Sequence, residues 1–241
     1  MTDGQRLPSG AGRDVLVALI LAIHGQAPRL SEIDGATGDG DHGANMDKGF
    51  ARADELLGAS EIDVPGGLSL LGRVLITEIG GAMGPLYGSF FLEMASAAGT
   101  SPTIDADLFG AMLAAGLAAM VDVGNAGVGD KTLLDALIPA DAAYRSAVAE
   151  GATFAEALDA MAAAAEAGSE STRSMVARVG RASRLGERSR GSLDAGAASC
   201  AVILRSLATS IKALLPPEAV SPDPRSARLA DPQASREGEP T

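Results

Sequence analysis

Apolar residues recur at three- and four-residue spacing along most of the chain, and nowhere is a spacing of two sustained. That pattern predicts helices rather than strands. The first covers residues 13–24 and ends at Gly25; the second begins near Gly43, extends to Leu57 and stops at Gly58. A loop with Asp63, Pro65 and two glycines leads to a third helix over residues 68–78, and a fourth follows Pro85 and ends near Gly99. Pro102 and Thr103 announce a fifth, in which Leu113, Leu117, Met120 and Val121 share one face. Asp130 is read as the cap of a sixth, carrying Leu134, Leu137 and Ile138, which Pro139 is expected to kink or break. Thr153 caps a seventh with Phe154, Leu158 and Met161 on one side. An eighth starts after Asp194 and runs to about residue 215. Between the last two, residues 169–192 are polar and mixed, with a short helix expected at 174–179 and then a functional loop.

Glycine falls mostly at the ends of these patterns. The arrangement reads as one all-helical domain, residues 11–215, whose loops carry the function. Residues 1–10 are expected to be a flexible N-terminus. From Pro216 the composition shifts to proline and charge, so residues 216–241 are expected to be a disordered tail.

Composition sharpens the picture. Hydrophobic residues make up 46% of the 241, yet only 3% are aromatic and none is Trp. The core is therefore expected to be Ala, Leu, Ile, Val and Met in close-packed helices. A formal net charge of −12 argues against nucleic acid or an anionic membrane as partner. Cys200 is the only cysteine, which rules out an intrachain disulfide and fits a cytoplasmic protein. It lies in the apolar stretch 197–204 and reads as a core residue rather than a nucleophile. The apolar run 15–23 is too short to span a bilayer, which takes about twenty residues. It reads as a buried first helix, and no other segment resembles a membrane span.

The chemistry concentrates in Asp34-Gly35-Ala36-Thr37-Gly38-Asp39-Gly40-Asp41-His42-Gly43-Ala44-Asn45-Met46. Asp34, Asp39 and Asp41 are separated by glycines that let the backbone bend and aim all three at one point. Hard cations such as Mg²⁺ take oxygen ligands of this kind, often together with phosphate oxygens. The helix that follows would offer free N–H groups and a positive dipole end to an anion. His42, inside this loop, is placed to contact a phosphate or to act as an acid or base, whereas His24 reads as a C-terminal helix residue. A second loop, Ile79-Gly80-Gly81-Ala82-Met83-Gly84-Pro85, is able to form an anion-binding nest. A third, Gly124-Asn125-Ala126-Gly127-Val128-Gly129-Asp130-Lys131-Thr132, either admits a nucleotide closely or is a tight connection; it lacks the Walker ending. Arginines concentrate at 181–189, as phosphate ligands or as a solvated basic loop. Asp194 is equally a site residue or an N-cap.

Taken together, these segments resemble the nucleotide-binding L subunits of dihydroxyacetone kinases, a family also found as the C-terminal domain of single-chain enzymes. The matching pieces are Gly38-Asp39-Gly40-Asp41-His42-Gly43, Gly84-Pro85-Leu86-Tyr87-Gly88, Gly129-Asp130-Lys131-Thr132, Asp135-Ala136-Leu137-Ile138-Pro139, Gly180-Arg181-Ala182-Ser183, Leu185-Gly186-Glu187-Arg188-Ser189 and Leu193-Asp194-Ala195-Gly196-Ala197. They follow family order over residues 11–212. The resemblance implies a barrel of about eight antiparallel amphipathic helices with the nucleotide at one end. It implies that Asp34, Asp39 and Asp41 hold two Mg²⁺ ions and that Arg181 completes the catalytic set. It implies that ADP or ATP contacts His42, Gly43, Ala44, Asn45, Ala82, Met83, Gly124, Leu133, Arg181, Asp194 and Gly196.

The implied activity is phosphoryl transfer to dihydroxyacetone or a related short ketose held by a separate K subunit. The donor is ATP, or bound ADP recharged by a phosphohistidine-carrying subunit of the sugar phosphotransferase system; a homodimer is also compatible with the family. Two readings compete with this one: the N-terminal domain of a fatty-acid kinase, against which His42 speaks, and a regulatory subunit that contacts a transcription regulator. Met83 stands where the family usually has serine, and a thioether is a poor substitute for a hydroxyl that bonds phosphate.

Overall fold

Burial of one apolar face per helix organises the chain. In this computed structural model, which describes residues 4–216, eight α-helices follow one another: α1 (Gly12–Gly35), α2 (His42–Leu57), α3 (Val64–Glu78), α4 (Met83–Ala98), α5 (Ala106–Gly124), α6 (Leu134–Ala149), α7 (Phe154–Ser171) and α8 (Ala195–Leu214). Each packs on the next, and α8 packs back on α1, so the neighbour relations close into a ring. Among the described residues the regular structure is helical apart from a two-residue antiparallel bridge, β1 (Leu7–Pro8) with β2 (Thr103–Ile104). From Leu7 onward that bridge departs from the expectation of a flexible N-terminus: Leu7 is fully buried opposite Ile104, and a turn of 3₁₀-helix at Ser9–Ala11 leads into α1, while residues 1–3 lie outside the described residues. Beyond Pro216, the expected tail lies outside the described residues.

Several helix boundaries differ from the sequence reading, each for a packing reason. α1 passes through Gly25 and Pro28 because Ala27 and Leu30, on either side of the proline, are buried. Core burial there outweighs local propensities of about 1 kcal/mol for Gly and about 3 for Pro. His24 is consequently mid-helix, with Nδ1 2.9 Å from Asp47 Oδ1. α3 begins at Val64, since Asp63 caps it by accepting from Gly66 N–H at 2.8 Å and Pro65 suits the first turn. α6 starts at Leu134 rather than at Asp130, whose carboxylate instead accepts from Gly127 N–H at 2.9 Å. Pro139 does not break α6: the carbonyl it leaves free, Asp135 O, is approached by Gly168 of α7, where a Cβ would stand 2.2 Å away. No helix forms at 174–179; 3₁₀ turns lie on either side, at Thr172–Ser174 and Arg181–Ser189.

The core is also more aromatic than composition suggested. All five Phe and both Tyr are buried, with Phe50, Phe90 and Phe91 meeting edge to face. Cys200 sits among them as expected, its thiol pushed up to about 12 by burial. Contrary to the sequence reading, α5 and α8 are long and apolar enough to cross a membrane by length and composition. α8 is mostly buried against α1, α6 and α7, whereas α5 packs on α4 and α6 through one face, with Phe109, Met112, Leu113 and Met120, and leaves the opposite face exposed.

Candidate functional site

The last turn of α1 and the first of α2 bracket the acidic loop. Asp34 lies in the last turn of α1, and its carboxylate folds the loop back by accepting from Gly40 N–H at 2.8 Å while its carbonyl accepts from Gly38 N–H at 2.6 Å. The result brings one carboxylate oxygen each from Asp34, Asp39 and Asp41 within 4.8 Å of one another. Asp41 occupies the N-cap position of α2 yet makes no capping bond. Asp63, Asp105 and Asp194, at the same position of α3, α5 and α8, all cap. Ser31 takes over at α2, its Oγ accepting from Ala44 N–H at 3.2 Å. Asp41 is thereby released for the cluster.

Arg181 reaches across from the 3₁₀ segment. It donates to Asp39 Oδ2 and stands 3.5 Å from Asp41 Oδ1. The guanidinium holds the Asp39 carboxyl below the usual range, and the carboxylates raise Arg181 in turn. Three carboxylates against one arginine leave an excess of negative charge on hard oxygen donors, beside the carbonyl end of α1. That set suits Mg²⁺.

Next to it opens a cavity of about 430 Å³. Of the residues singled out in the sequence, Asp34, His42, Ala82, Met83, Gly124, Leu133, Arg181, Asp194 and Gly196 line it. Asp39 and Asp41 join through Arg181. Gly43, Ala44 and Asn45 do not line it. Gly43 packs on α1, where a Cβ would meet Ala27 O at 1.9 Å, and the N–H groups of Ala44 and Asn45 are taken by Ser31 Oγ and Asp41 O. The starts of α2, α4, α6 and α8 all reach this cavity, at His42, Met83, Leu134 and Ala195. The first residues of four helices therefore border one space, and the uncapped start of α4 favours an anion there. Leu86, Met120, Val123 and Leu133 supply apolar lining, so the cavity offers both charged and apolar walls.

His42 is 7% exposed. Its Nε2 lies 2.9 Å from Ser199 Oγ, which lies 2.7 Å from Tyr87 Oη, and Tyr87 donates to Gly196 O at 3.0 Å. Burial lowers the His42 pKa against the opposing charges of Asp34 and Asp41, which favours the neutral ring. Asp194 does both jobs left open by the sequence: it caps α8 through Ala197 N–H at 2.8 Å, and it lines the cavity. Burial pushes its carboxyl up to about 6.

Ser199, Tyr87 and Lys131 were not singled out from the sequence. Tyr87 and Lys131 belong to recognisable motif segments, but Ser199 carries no local signal at all. Lys131 is 2% exposed and lines the cavity, and its Nζ donates to Met175 O, Ser189 O and Ser192 O at 3.3, 2.5 and 2.8 Å.

Residues 36–209 match the DAK2 domain family. Over 184 residues the chain is 36% identical to the ADP-binding subunit DhaL of a PEP-dependent dihydroxyacetone kinase from Escherichia coli, covering 76% of this chain and 88% of that protein. It is likewise 36% identical over 190 residues to the ADP-binding subunit DhaL of PEP-dependent dihydroxyacetone kinase 2 from Listeria innocua, covering 76% and 86%. Among solved structures, it is similar to the dihydroxyacetone kinase from C. freundii in complex with AMP-PNP and Mg²⁺, with a TM-score of 0.62 and 25% identity. The match covers 84% of this chain and 34% of that larger one.

Proposed function

The chain belongs to the DAK2 domain family, and from that premise we propose that it is the nucleotide-binding subunit of a dihydroxyacetone kinase. It would transfer a phosphoryl group to dihydroxyacetone or a related short ketose held by a separate K subunit. The observation that carries this reading is the Asp34–Asp39–Asp41 cluster, with Arg181 across it, beside a cavity on which four helix N-termini converge.

In this reading Asp34, Asp39 and Asp41 would hold two Mg²⁺ ions, which when bound would supply positive charge to the nucleotide's phosphates. Every other task falls to the chain itself. Arg181 adds a fixed positive charge at the phosphates. Ala82 and Met83, at the uncapped start of α4, offer backbone N–H groups to phosphate oxygens, so a thioether at position 83 leaves that part of the grip intact. His42, neutral and anchored on Ser199, contributes a hydrogen bond without adding charge. Gly124 and Leu133, with the apolar lining around them, receive the adenosine end. Because two DhaL relatives are named as ADP-binding subunits of PEP-dependent kinases, bound ADP recharged by a phosphohistidine carrier is the donor favoured over free ATP.

The test is transfer to dihydroxyacetone in the presence of a K subunit and the phosphohistidine carrier, or ATP in its place. The wild-type chain is expected to support turnover, and Asp41→Asn to lower it at least ~100-fold while helicity stays unchanged. Full turnover by Asp41→Asn would reject the metal assignment.

A further inference from the structure

Lys131 combines three properties that a merely structural loop residue has no need of. Its backbone is left-handed at φ 62°, a conformation that side-chain-bearing residues rarely adopt. The turn is held by Asp135, which accepts from Gly129 N–H at 2.5 Å and Thr132 N–H at 2.7 Å. Its ammonium is buried, with both burial and the charges of Arg173 and Arg190 working against protonation and Asp194 working for it. And all three of its N–H donors are spent on main-chain carbonyls, leaving none for a ligand.

Those carbonyls are the key. Met175 O lies before the segment that carries Arg181, and Ser189 O and Ser192 O lie after it. One ammonium therefore ties together both feet of an arch, residues 176–188. The feet are closed further by Ala177 N–H to Ser189 Oγ at 2.9 Å and by Gly191 N–H to Arg173 O at 2.8 Å. From the middle of that arch Arg181 extends to Asp39 and Asp41.

We propose that Lys131 is a positioning residue: by pinning the two feet of the 176–188 arch, it sets Arg181 against the carboxylate cluster and so determines the grip on the nucleotide's phosphates. The last step rests on the functional reading above; the pinning of the arch does not.

A double-mutant cycle tests it, with Mg-ADP as the probe and Lys131→Met removing the donors at similar length. Lys131→Met is expected to weaken Mg-ADP binding roughly ten-fold in the wild-type background and less than about two-fold in Arg181→Ala. An equal loss in both backgrounds overturns the proposal, because a lysine that contacted the nucleotide directly, or only supported the fold, would act without Arg181. In parallel, trypsin is applied to nucleotide-free protein, where the exposed Arg184 and Arg188 report on the arch. Faster cleavage there in Lys131→Met, with the rest of the chain as resistant as before, supports the pin; an unchanged rate overturns it, whatever the nucleotide result. If wild-type protein fails to bind Mg-ADP, the functional reading fails and the cleavage arm still decides the pin. Lys131→Gln, which keeps a donor, replaces Lys131→Met if that variant does not fold.

Discussion

Asp194 is held partly charged at a price the fold need not have accepted. Burial raises its carboxyl to about 6, above the ordinary value of an aspartate in the unfolded chain. The ionised form therefore costs stability at neutral pH, and the cost is relieved as pH falls through 6 and the folded state takes up the proton first. Asp194→Asn keeps an oxygen for Ala197 N–H and removes the charge. The variant should be more stable than wild type at pH 8 by on the order of 1–2 kcal/mol, with the gap closing towards pH 4. Denaturant midpoints at the two pH values check this; a gap independent of pH would mean that the charge at position 194 is not what burial opposes. The same residue type shows what the sequence reveals and conceals. An aspartate before a helix is a cap or a ligand with equal right, and Asp194 reads either way, whereas Asp41 is set apart by the two other carboxylates of its own loop. The partners bear out the difference: Ala197 N–H for Asp194, and Arg181 with two other carboxylates for Asp41.

At the scale of elements, the apolar spacing was legible and the boundaries were not. α1 continues past two helix breakers because its second half packs on the start of α2, a contact no local pattern encodes. Gly43 is the point of closest approach: any Cβ there would meet Ala27 O at 1.9 Å and Ser31 N at 2.8 Å. Gly43→Ala should destabilise the protein by about 2 kcal/mol or more, since backbone must shift to admit the methyl. Gly124→Ala, whose nearest neighbour is the flexible Leu86 Cδ2 at 3.3 Å, should leave the urea midpoint near wild type and change nucleotide affinity instead. The opposite order would show that Gly43 serves the ligand and Gly124 the fold. Gly43, read from the sequence as a nucleotide contact, is thus placed in the helix packing that aims the acidic loop.

At the scale of the molecule, the ring of eight helices matters because it gathers chain-distant ends. The three carboxylates were visible from spacing alone, since they sit on one short loop. The convergence of the starts of α2, α4, α6 and α8, the bond from His42 to Ser199, and the tie from Lys131 to the Arg181 arch join residues tens of positions apart and needed the fold. On the proposed function they would make an anion site beside a cation site, which is what a metal-bound nucleotide requires. The most direct test is a calorimetric titration of ADP into protein stripped of nucleotide, with Mg²⁺ and then with chelator. The account predicts one ADP per chain with Mg²⁺, and at least ~10-fold weaker binding without the metal or in Asp41→Asn. Binding of equal strength with chelator, or no binding with Mg²⁺ present, would contradict it.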